Sequence, residues 1–255
     1  MKRLALALGL PVVLFVVWFV ASYGSESFYV PPLRRILGAF ADTWTLERLR
    51  TDVLPSLGRL AVGYALAATL GIAVGVAIGA YPRLRAAAEP VLEFFRAIPP
   101  PVLVPVIMLF AGIGNGMKVI VIAVGCVWPV LLNTVEGIRA VDGVLSDTAR
   151  AYGITGVARL RHLLLRGASP QIAAGLRQAL SIAIILMVIS EMFAASNGLG
   201  FAIVQFQRSF AIPEMWSGII LLGLLGFTLS MLFRFVERRA LGWYNGLREA
   251  QRKGS

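Results

Sequence analysis

Long apolar segments set the strongest limit on what this chain can fold into. Six segments of roughly 20 residues are mainly apolar, which is the helix length that crosses a bilayer core of about 30 Å. Backbone polar groups find no water inside a bilayer, so helices are the expected form of such segments. The sequence therefore predicts an all-α membrane protein with six transmembrane helices, at residues 4–23, 57–81, 86–112, 117–132, 170–195 and 215–236.

Composition excludes several other classes of protein. The chain is 58% hydrophobic and 15% charged, whereas soluble domains are roughly 45–50% apolar and about 25% charged. Cys126 is the single cysteine and His162 the single histidine, so we expect no intrachain disulfide, no metal site and no catalytic residues. With neither an internal repeat nor a low-complexity linker, residues 1–255 are predicted to form one transmembrane domain.

The first apolar segment has a competing interpretation as a signal peptide, because Lys2 and Arg3 precede it. Its apolar run is longer than the usual signal core of roughly 7–15 residues, and a good cleavage site is missing. We favour a retained helix.

The distribution of basic residues predicts the orientation. The net charge is +11, which on a soluble domain would suggest nucleic acid; here we expect the bilayer and no nucleic-acid partner. Cytoplasmic loops of membrane proteins carry an excess of Lys and Arg. An N-in, C-in topology places in the cytoplasm Arg83, Arg85, Arg139, Arg150, Arg159, Arg161, Arg166, Arg238, Arg239, Arg248, Arg252 and Lys253.

A stripe of small residues marks the second segment. Gly71, Gly75 and Gly79 are spaced four apart, and such spacing lets two membrane helices approach closely. Two partners are open: another helix of this chain, or a second copy of it.

Consecutive prolines interrupt the third segment. Pro99, Pro100 and Pro101 cannot continue a regular helix, because they lack backbone donors and clash with the preceding turn. The break is either a kink that shapes the bundle or a lining of a solute path, as in many transporters. The positive N-terminal end of the second half-helix, close to Arg96, would suit an anion.

Glu191 lies deep in the fifth segment. A carboxylate inside a bilayer is costly and is a functional candidate by default. Its role is open between polar contact among helices, a cavity or gate contact, and a proton carrier. Our candidate path-lining residues are Arg96, Pro99, Pro100, Pro101, Met187 and Glu191.

The loop at residues 138–169 predicts a helix–turn–helix elbow. Ser146 or Asp147 could cap a short helix, and Gly153 could end it in a left-handed conformation. Thr155 could cap a second helix reaching residue 165, and Ser169–Pro170 would then begin the fifth span. Such an elbow is either an insert for a partner's groove or a solvated loop.

This loop resembles the EAA loop of ATP-binding-cassette importer permeases. Asp147-Thr148-Ala149 stands for Glu-Ala-Ala, Gly153 matches the loop glycine, and Leu163 to Arg166 follows nine residues later. The departures are Asp for Glu, Thr for Ala and Arg166 for Pro.

The resemblance extends over about 200 residues to the nitrate/sulfonate/taurine/bicarbonate subfamily. It is carried in order by Ser56–Arg59 with Gly63–Tyr64, by Arg96–Pro100 with Pro105 and Gly112–Gly114, by Glu191–Met192 with Gly198–Gly200, and by Glu237–Arg239 with Trp243.

The resemblance implies a permease of a bacterial cytoplasmic (inner) membrane importer, moving a small anion such as a sulfonate, nitrate or bicarbonate by alternating access. Its implied partners are two cytoplasmic ATPase subunits, a second permease copy and an extracytoplasmic solute-binding protein. The implied ATPase-coupling residues are Asp147, Thr148, Ala149, Arg150, Tyr152, Gly153, Ile154, Thr155 and Gly156.

The chain itself is then a transport subunit and not an enzyme. It carries no glycine-rich phosphate loop ending in Gly-Lys-Ser/Thr, so no cofactor is expected in it, and ATP and Mg²⁺ would bind the partner ATPase. The alternatives are a proton-coupled carrier using Glu191, a permease for heterocycles such as thiamine precursors, and a membrane enzyme or scaffold.

Overall fold

The structure is a computed structural model that describes residues 2–193, 195–244 and 246, without the side chains of residues 2–8 and 10–12. Ala194, in the fifth predicted span, and the tail residues Arg248, Arg252 and Lys253 lie outside the described residues. The described residues form ten helices and no strand: α1 Lys2–Ser22, α2 Leu33–Thr43, α3 Leu46–Ala80, α4 Pro82–Ala97, α5 Pro100–Ala111, α6 Asn115–Arg139, α7 Gly143–Ala151, α8 Gly156–Phe193, α9 Leu199–Arg208 and α10 Ile212–Ala240.

The prediction of an all-helical membrane protein is confirmed. Among the described residues, α3, α6, α8 and α10 are each long and apolar enough to cross a membrane, and α4 with α5 forms a fifth candidate that is bent by 78°. Within α1, Val13–Ser22 is a shorter apolar helix. The count of six spans and their orientation stay predictions.

The chain divides into two compact units. The first unit comprises Met1–Ser56 and Glu191–Leu225, and the second comprises Leu57–Ser190 and Gly226–Ser255. The prediction that residues 1–255 act as one domain stays a prediction.

Helices α3 and α6 of the second unit pack through a ladder of glycines. A Cβ atom added at any of these glycines would lie 2.7–2.9 Å from a side-chain atom of α6, so only glycine allows this approach. The pairs are Gly63 with Ile122, Gly71 with Val130, Gly75 with Thr134, and Gly79 with Ile138. The glycine stripe therefore lies against a helix of the same chain.

The register of this ladder makes α3 and α6 parallel, because residue numbers rise together along both helices. At one end, Arg59 Nε donates to Asn115 Oδ1 at 2.9 Å, and at the other Gly79 meets Ile138. Sixteen residues of helix from Gly63 to Gly79 cover about 24 Å. The chain must return over that distance between α3 and α6, and α4 with α5 makes this return.

Helix α8 runs antiparallel to α6, and α10 runs antiparallel to α8. Gly167 lies against Val141 and Gly175 against Asn133, while the Cys126 thiol donates to the Ala179 carbonyl oxygen at 3.3 Å. The elbow and the C-terminal ends of α3, α6 and α10 therefore lie at one end of the second unit. The arginines at this basic end are Arg83, Arg85, Arg139, Arg150, Arg159, Arg161, Arg166, Arg238 and Arg239.

The predicted helix start at Ser169–Pro170 is wrong, whereas the bounds of the fifth span stay a prediction. Helix α8 begins at Gly156, contains a π-helical turn at Leu160–Leu164, and continues through Pro170. A proline inside a helix leaves the carbonyl four residues earlier without its N–H donor. The Ser169 hydroxyl donates to that carbonyl, Arg166 O, at 2.8 Å, which explains how the helix tolerates the proline.

Candidate functional site

The elbow begins at a cap that differs from the predicted one. Asp142 Oδ1 accepts from the Val144 N–H at 2.7 Å, and helix α7 starts at Gly143. Ser146 and Asp147 were predicted as caps, but they lie about one turn inside the helix. The reason is that Asp142 stands at the junction with the preceding turn and already satisfies the first free backbone donor.

The end of α7 is a complete Schellman turn. Gly153 has a φ of +69°, its N–H donates to Arg150 O at 3.0 Å, and the Ile154 N–H donates to Ala149 O at 2.8 Å. This left-handed glycine with two bonds back into the helix is the arrangement that terminates helices without leaving free carbonyls. Gly153 thus ends the helix as the sequence predicts, and it fixes the bend of the elbow.

The elbow carries an exposed apolar surface. Val144, Tyr152 and Val157 are 72%, 81% and 78% exposed. Leu145 and Ile154 are also exposed. The elbow thus exposes five large apolar side chains within 14 residues.

The remaining predicted coupling residues lie on the same short segment. Arg150 and Asp147 form an exposed ion pair at 3.5 Å, and the Thr148 hydroxyl donates to Val144 O at 2.7 Å. Ala149 is buried. Thr155 and Gly156 begin α8, so the elbow joins directly to the longest helix of the chain.

A cavity of about 300 Å³ lies at the break between α4 and α5, in the second unit. Arg96 and Pro100 line it from the broken span, and Gln178 lines it from α8. From α6 its walls include Trp128 and Asn133. With Phe95 also in the lining, the cavity combines a guanidinium, two amides and two aromatic rings.

Local contacts set the shape of this cavity. Phe95 and Trp128 are stacked with ring centroids 5.0 Å apart and planes 7° apart. Arg96 pairs with Glu93 at 2.7 Å, and both side chains are more than half exposed. A Cβ on Gly125 would lie 2.2 Å from Leu186 Cδ1 and 3.1 Å from Pro100 Cβ, so glycine there lets the proline break approach α6.

The other four predicted path residues lie outside the lining of this cavity. Pro99 and Pro101 flank Pro100 on the chain, outside the lining of the cavity. Met187 is buried in α8. Glu191 belongs to the first unit. Of the six candidates, Arg96 and Pro100 thus line the cavity.

Glu191 is buried and accepts several hydrogen bonds. Its side chain is 1% exposed, and the Ser56 hydroxyl lies 2.7 and 2.9 Å from its two carboxylate oxygens. The Gly200 N–H donates to Glu191 Oε2 at 3.0 Å. Because burial of a carboxylate requires such partners, Glu191 serves as a structural acceptor at the start of α9.

Three side chains together cap the N-terminus of α9, and we call them the α9 cap: Asp52, Ser56 and Glu191. The Gly198 N–H donates to Asp52 Oδ1 at 3.1 Å, and the Leu199 N–H donates to Ser56 Oγ at 3.0 Å. With the Gly200 N–H on Glu191, three consecutive backbone donors are satisfied by residues distant in sequence. Helix N-termini leave such donors free, so the cap accounts for the burial of Glu191.

The fit around Gly198 is close. Its φ is +123°, and a Cβ there would lie 2.5 Å from the Glu191 carboxyl carbon. Sequence reasoning missed Asp52 and the role of Ser56, since nothing in a linear pattern pairs them with residues about 140 positions away. The one signal was that Ser56 and Gly198–Gly200 both fell within motifs of the resemblance.

A polar concavity of about 820 Å³ lies beside the α9 cap in the first unit, with Asp52 in its lining. The Arg48 guanidinium also lines it and lies 4.8 Å over the Phe206 ring. Among the described residues, no group of three or more His, Cys, Asp or Glu side chains is placed to hold a metal ion.

Comparison with known families matches residues 67–242 to the binding-protein-dependent transport system inner membrane component. The matched range contains the helix break, the elbow, Glu191 of the α9 cap and the three capped N–H groups of Gly198–Gly200. It covers well over half of the chain.

Curated relatives align over most of the chain. The taurine transport system permease protein of Escherichia coli is 28% identical, over 95% of this chain and 91% of that protein. A putative aliphatic sulfonates transport permease of Bacillus subtilis is 29% identical, over 92% and 86%. The nitrate import permease of Synechocystis is 28% identical, over 88% and 85%.

Solved structures show the same fold. A chain of the MetNI methionine ABC transporter, in an inward-facing conformation, superposes with a TM-score of 0.63 at 21% identity, covering 75% of this chain and 95% of that chain. A chain of an amino acid ABC transporter superposes with a TM-score of 0.53 at 20% identity, covering 81% and 96%.

Proposed function

Because this chain belongs to the family of binding-protein-dependent transport system inner membrane components, we propose that it is the permease of an ATP-driven importer for a small anionic solute. Family membership makes it a multi-pass transport subunit of the inner membrane and not an enzyme. The main support for the importer proposal is the elbow, which exposes apolar side chains and is joined directly to a long helix that lines a cavity.

The proposed orientation puts the basic end of the second unit in the cytoplasm. The elbow and its arginines lie at this end, and cytoplasmic segments carry the excess of Lys and Arg. The exposed apolar side chains Val144, Tyr152 and Val157 would then enter a groove on a cytoplasmic ATPase, as amphipathic helices do. The sequence has no phosphate-binding loop, so two ATPase copies would bind ATP and Mg²⁺.

The proposed coupling runs through α8. Thr155 and Gly156 join the elbow to this helix, and Gln178 on the same helix lines the cavity at the break. Gly156 and Gln178 are 22 residues apart on one continuous helix, a rise of about 33 Å. Displacement of the elbow by the ATPase would therefore shift one wall of the cavity, and a second permease copy would supply the facing half of the path.

The proposed solute is a small anion delivered by a binding protein. The three relatives are named for taurine, aliphatic sulfonates and nitrate, which carry a sulfonate group or are themselves an anion. The Arg96 guanidinium at the cavity and the positive N-terminal end of α5 would both favour such charge.

The proton-carrier alternative is disfavoured by the α9 cap. Glu191 accepts from the Ser56 hydroxyl and from the Gly200 N–H, so its oxygens already serve as acceptors within the protein. A carrier that releases and rebinds a proton needs access to the group, whereas Glu191 is 1% exposed.

The test is to purify the full chain in mild detergent after expression with its neighbouring genes, and to identify what comes with it. We expect a stoichiometric cytoplasmic ATPase. A chain that purifies alone, although its neighbours are expressed, would contradict the importer proposal and restore the carrier alternative.

A matched pair of elbow variants tests the coupling. Gly153→Ala places a side chain at a φ of +69°, which costs about 1–2 kcal/mol and should weaken ATPase binding and transport while the spans stay inserted. Gly143→Ala adds the same methyl group at the start of α7, where nothing lies within 4 Å. Equal activity of the two variants would show that the bend at Gly153 does not carry the coupling.

A further inference from the structure

An open basic concavity lies between α8 and α10 of the second unit. Its volume is about 260 Å³, and its lining consists of Arg177 from α8 with Arg234, Glu237, Arg238 and Leu241 from the C-terminal part of the chain. The α9 cap, the elbow and the cavity at the helix break lie elsewhere and share none of these residues.

The charges in this concavity do not balance. Arg177 forms an ion pair with Glu237, whose side chain is 12% exposed. Glu237 is the one carboxylate in a lining that contains three arginines. The concavity therefore keeps an excess of two positive charges after its internal pair is formed, and it presents guanidinium groups that favour phosphate.

The concavity lies at the level where the apolar part of the spans ends. Residues 179–190 of α8 and 215–233 of α10 contain no charged side chain, and toward the basic end Arg177 and Arg234 are the first charged residues beyond them. Met231 and Phe227 are 50% and 60% exposed, and they lie three and seven residues before Arg234, on the same face of α10. Guanidiniums at the end of an apolar span, next to exposed apolar side chains, occupy the headgroup region of a bilayer.

An aromatic residue lies beyond the concavity, toward the basic end. The Arg166 guanidinium lies 5.6 Å from the centroid of the Trp243 ring. Tryptophan is enriched where the bilayer meets water, and Trp243 follows Leu241 of the concavity by two residues.

We propose that this concavity binds the phosphate headgroup of an anionic phospholipid, in the leaflet at the basic end of the protein. Arg234, Arg238 and Arg177 would hold the phosphate, and the acyl chains would lie along the exposed apolar face of α10 that includes Met231 and Phe227. Basic pockets between transmembrane helices bind anionic lipid headgroups in this way. A free phosphate ion shares the headgroup chemistry but would make no use of the apolar face.

The experiment measures lipid retained by the full purified chain. The chain, in mild detergent, is incubated with phosphatidylglycerol or with phosphatidylcholine, and bound lipid is counted by native mass spectrometry. We expect one tightly held phosphatidylglycerol per chain and no comparable phosphatidylcholine. A tenfold excess of inorganic phosphate should not displace the lipid; displacement would overturn the proposal in favour of a small-anion site.

Two double variants separate the concavity from the general charge of this end. Arg234→Gln with Arg238→Gln should weaken phosphatidylglycerol binding by about 25-fold, since one basic side chain near an anionic surface contributes roughly fivefold. Arg83→Gln with Arg85→Gln removes the same charge outside the concavity and should leave retention unchanged. Equal loss in both double variants would overturn the proposal.

A variant that should bind the lipid more tightly provides a control for misfolding. Glu237→Gln removes the one negative charge of the lining but keeps an oxygen that can accept from Arg177. It should strengthen phosphatidylglycerol retention about fivefold by the same charge contribution, a result that a damaged protein would not give. Unchanged or weaker retention in Glu237→Gln would overturn the proposal.

Discussion

The two compact units hold their helices together in opposite ways. In the second unit, α3 and α6 meet through glycines that press against Ile122, Val130, Thr134 and Ile138. In the first unit, α9 is held by hydrogen bonds from its backbone to Asp52, Ser56 and Glu191. One contact consists of close packing, and the other of buried polar groups.

The difference follows from what each helix leaves unsatisfied. Long helices such as α3 and α6 satisfy their backbone internally and need only close approach to associate in lipid. Helix α9 has 10 residues. The three N–H groups at its start find no acceptor within the helix, so residues distant in sequence must supply buried acceptors. A buried carboxylate is thus a consequence of a short helix with a buried start.

The largest effect is expected at Glu191. Glu191→Ala leaves the Gly200 N–H and the Ser56 hydroxyl without their acceptor, and should destabilise the protein by about 3 kcal/mol, at the upper end for buried unsatisfied groups. Glu191→Gln keeps an acceptor oxygen and should lose much less. Denaturing-detergent titrations of both variants measure this, and equal losses would mean that the charge rather than the cap stabilises α9.

A smaller effect is expected in the glycine ladder. Gly75→Ala places a methyl group 2.7 Å from Thr134 Cβ and should cost about 2 kcal/mol by overpacking. The control is Gly223→Ala in α10, where nothing lies within 4 Å and alanine favours helix. The same titration should separate the two variants; if Gly75→Ala is as stable as Gly223→Ala, close approach does not hold α3 against α6.

The smallest effect is expected at Ser56. Ser56→Ala removes the acceptor of the Leu199 N–H and one donor to Glu191, while Asp52 and Glu191 still hold the neighbouring N–H groups. We expect a loss of about 1 kcal/mol.

Ser190→Ala provides the matched control for Ser56. Ser190 is as deeply buried, but its hydroxyl donates to Met187 O of its own helix at 2.9 Å, so its loss should be close to zero. Thermal unfolding of the two variants in detergent measures the difference, and indistinguishable midpoints would limit the cap to its two carboxylates.

Predictions from the sequence succeeded where the physical cause is local. Three prolines predicted the break that separates α4 from α5, and Gly153 predicted the left-handed end of α7. Predictions were wrong where a neighbouring side chain satisfied the backbone groups on which the prediction depended. Asp142 took the capping position expected for Ser146 or Asp147, and the Ser169 hydroxyl allowed Pro170 inside α8.

The sequence by itself determined that this chain is a helical membrane protein with a broken span and an elbow, because apolar length, prolines and glycines act on the backbone within a few residues. Only the tertiary structure decided that Glu191 meets Ser56, that Gly71, Gly75 and Gly79 face α6, and that Arg177 meets Glu237. These pairs are separated by some 50 to 140 residues. These contacts depend on the register between helices and on which backbone N–H donors lack an acceptor within their own helix. Neither can be predicted from the residue spacing within one segment.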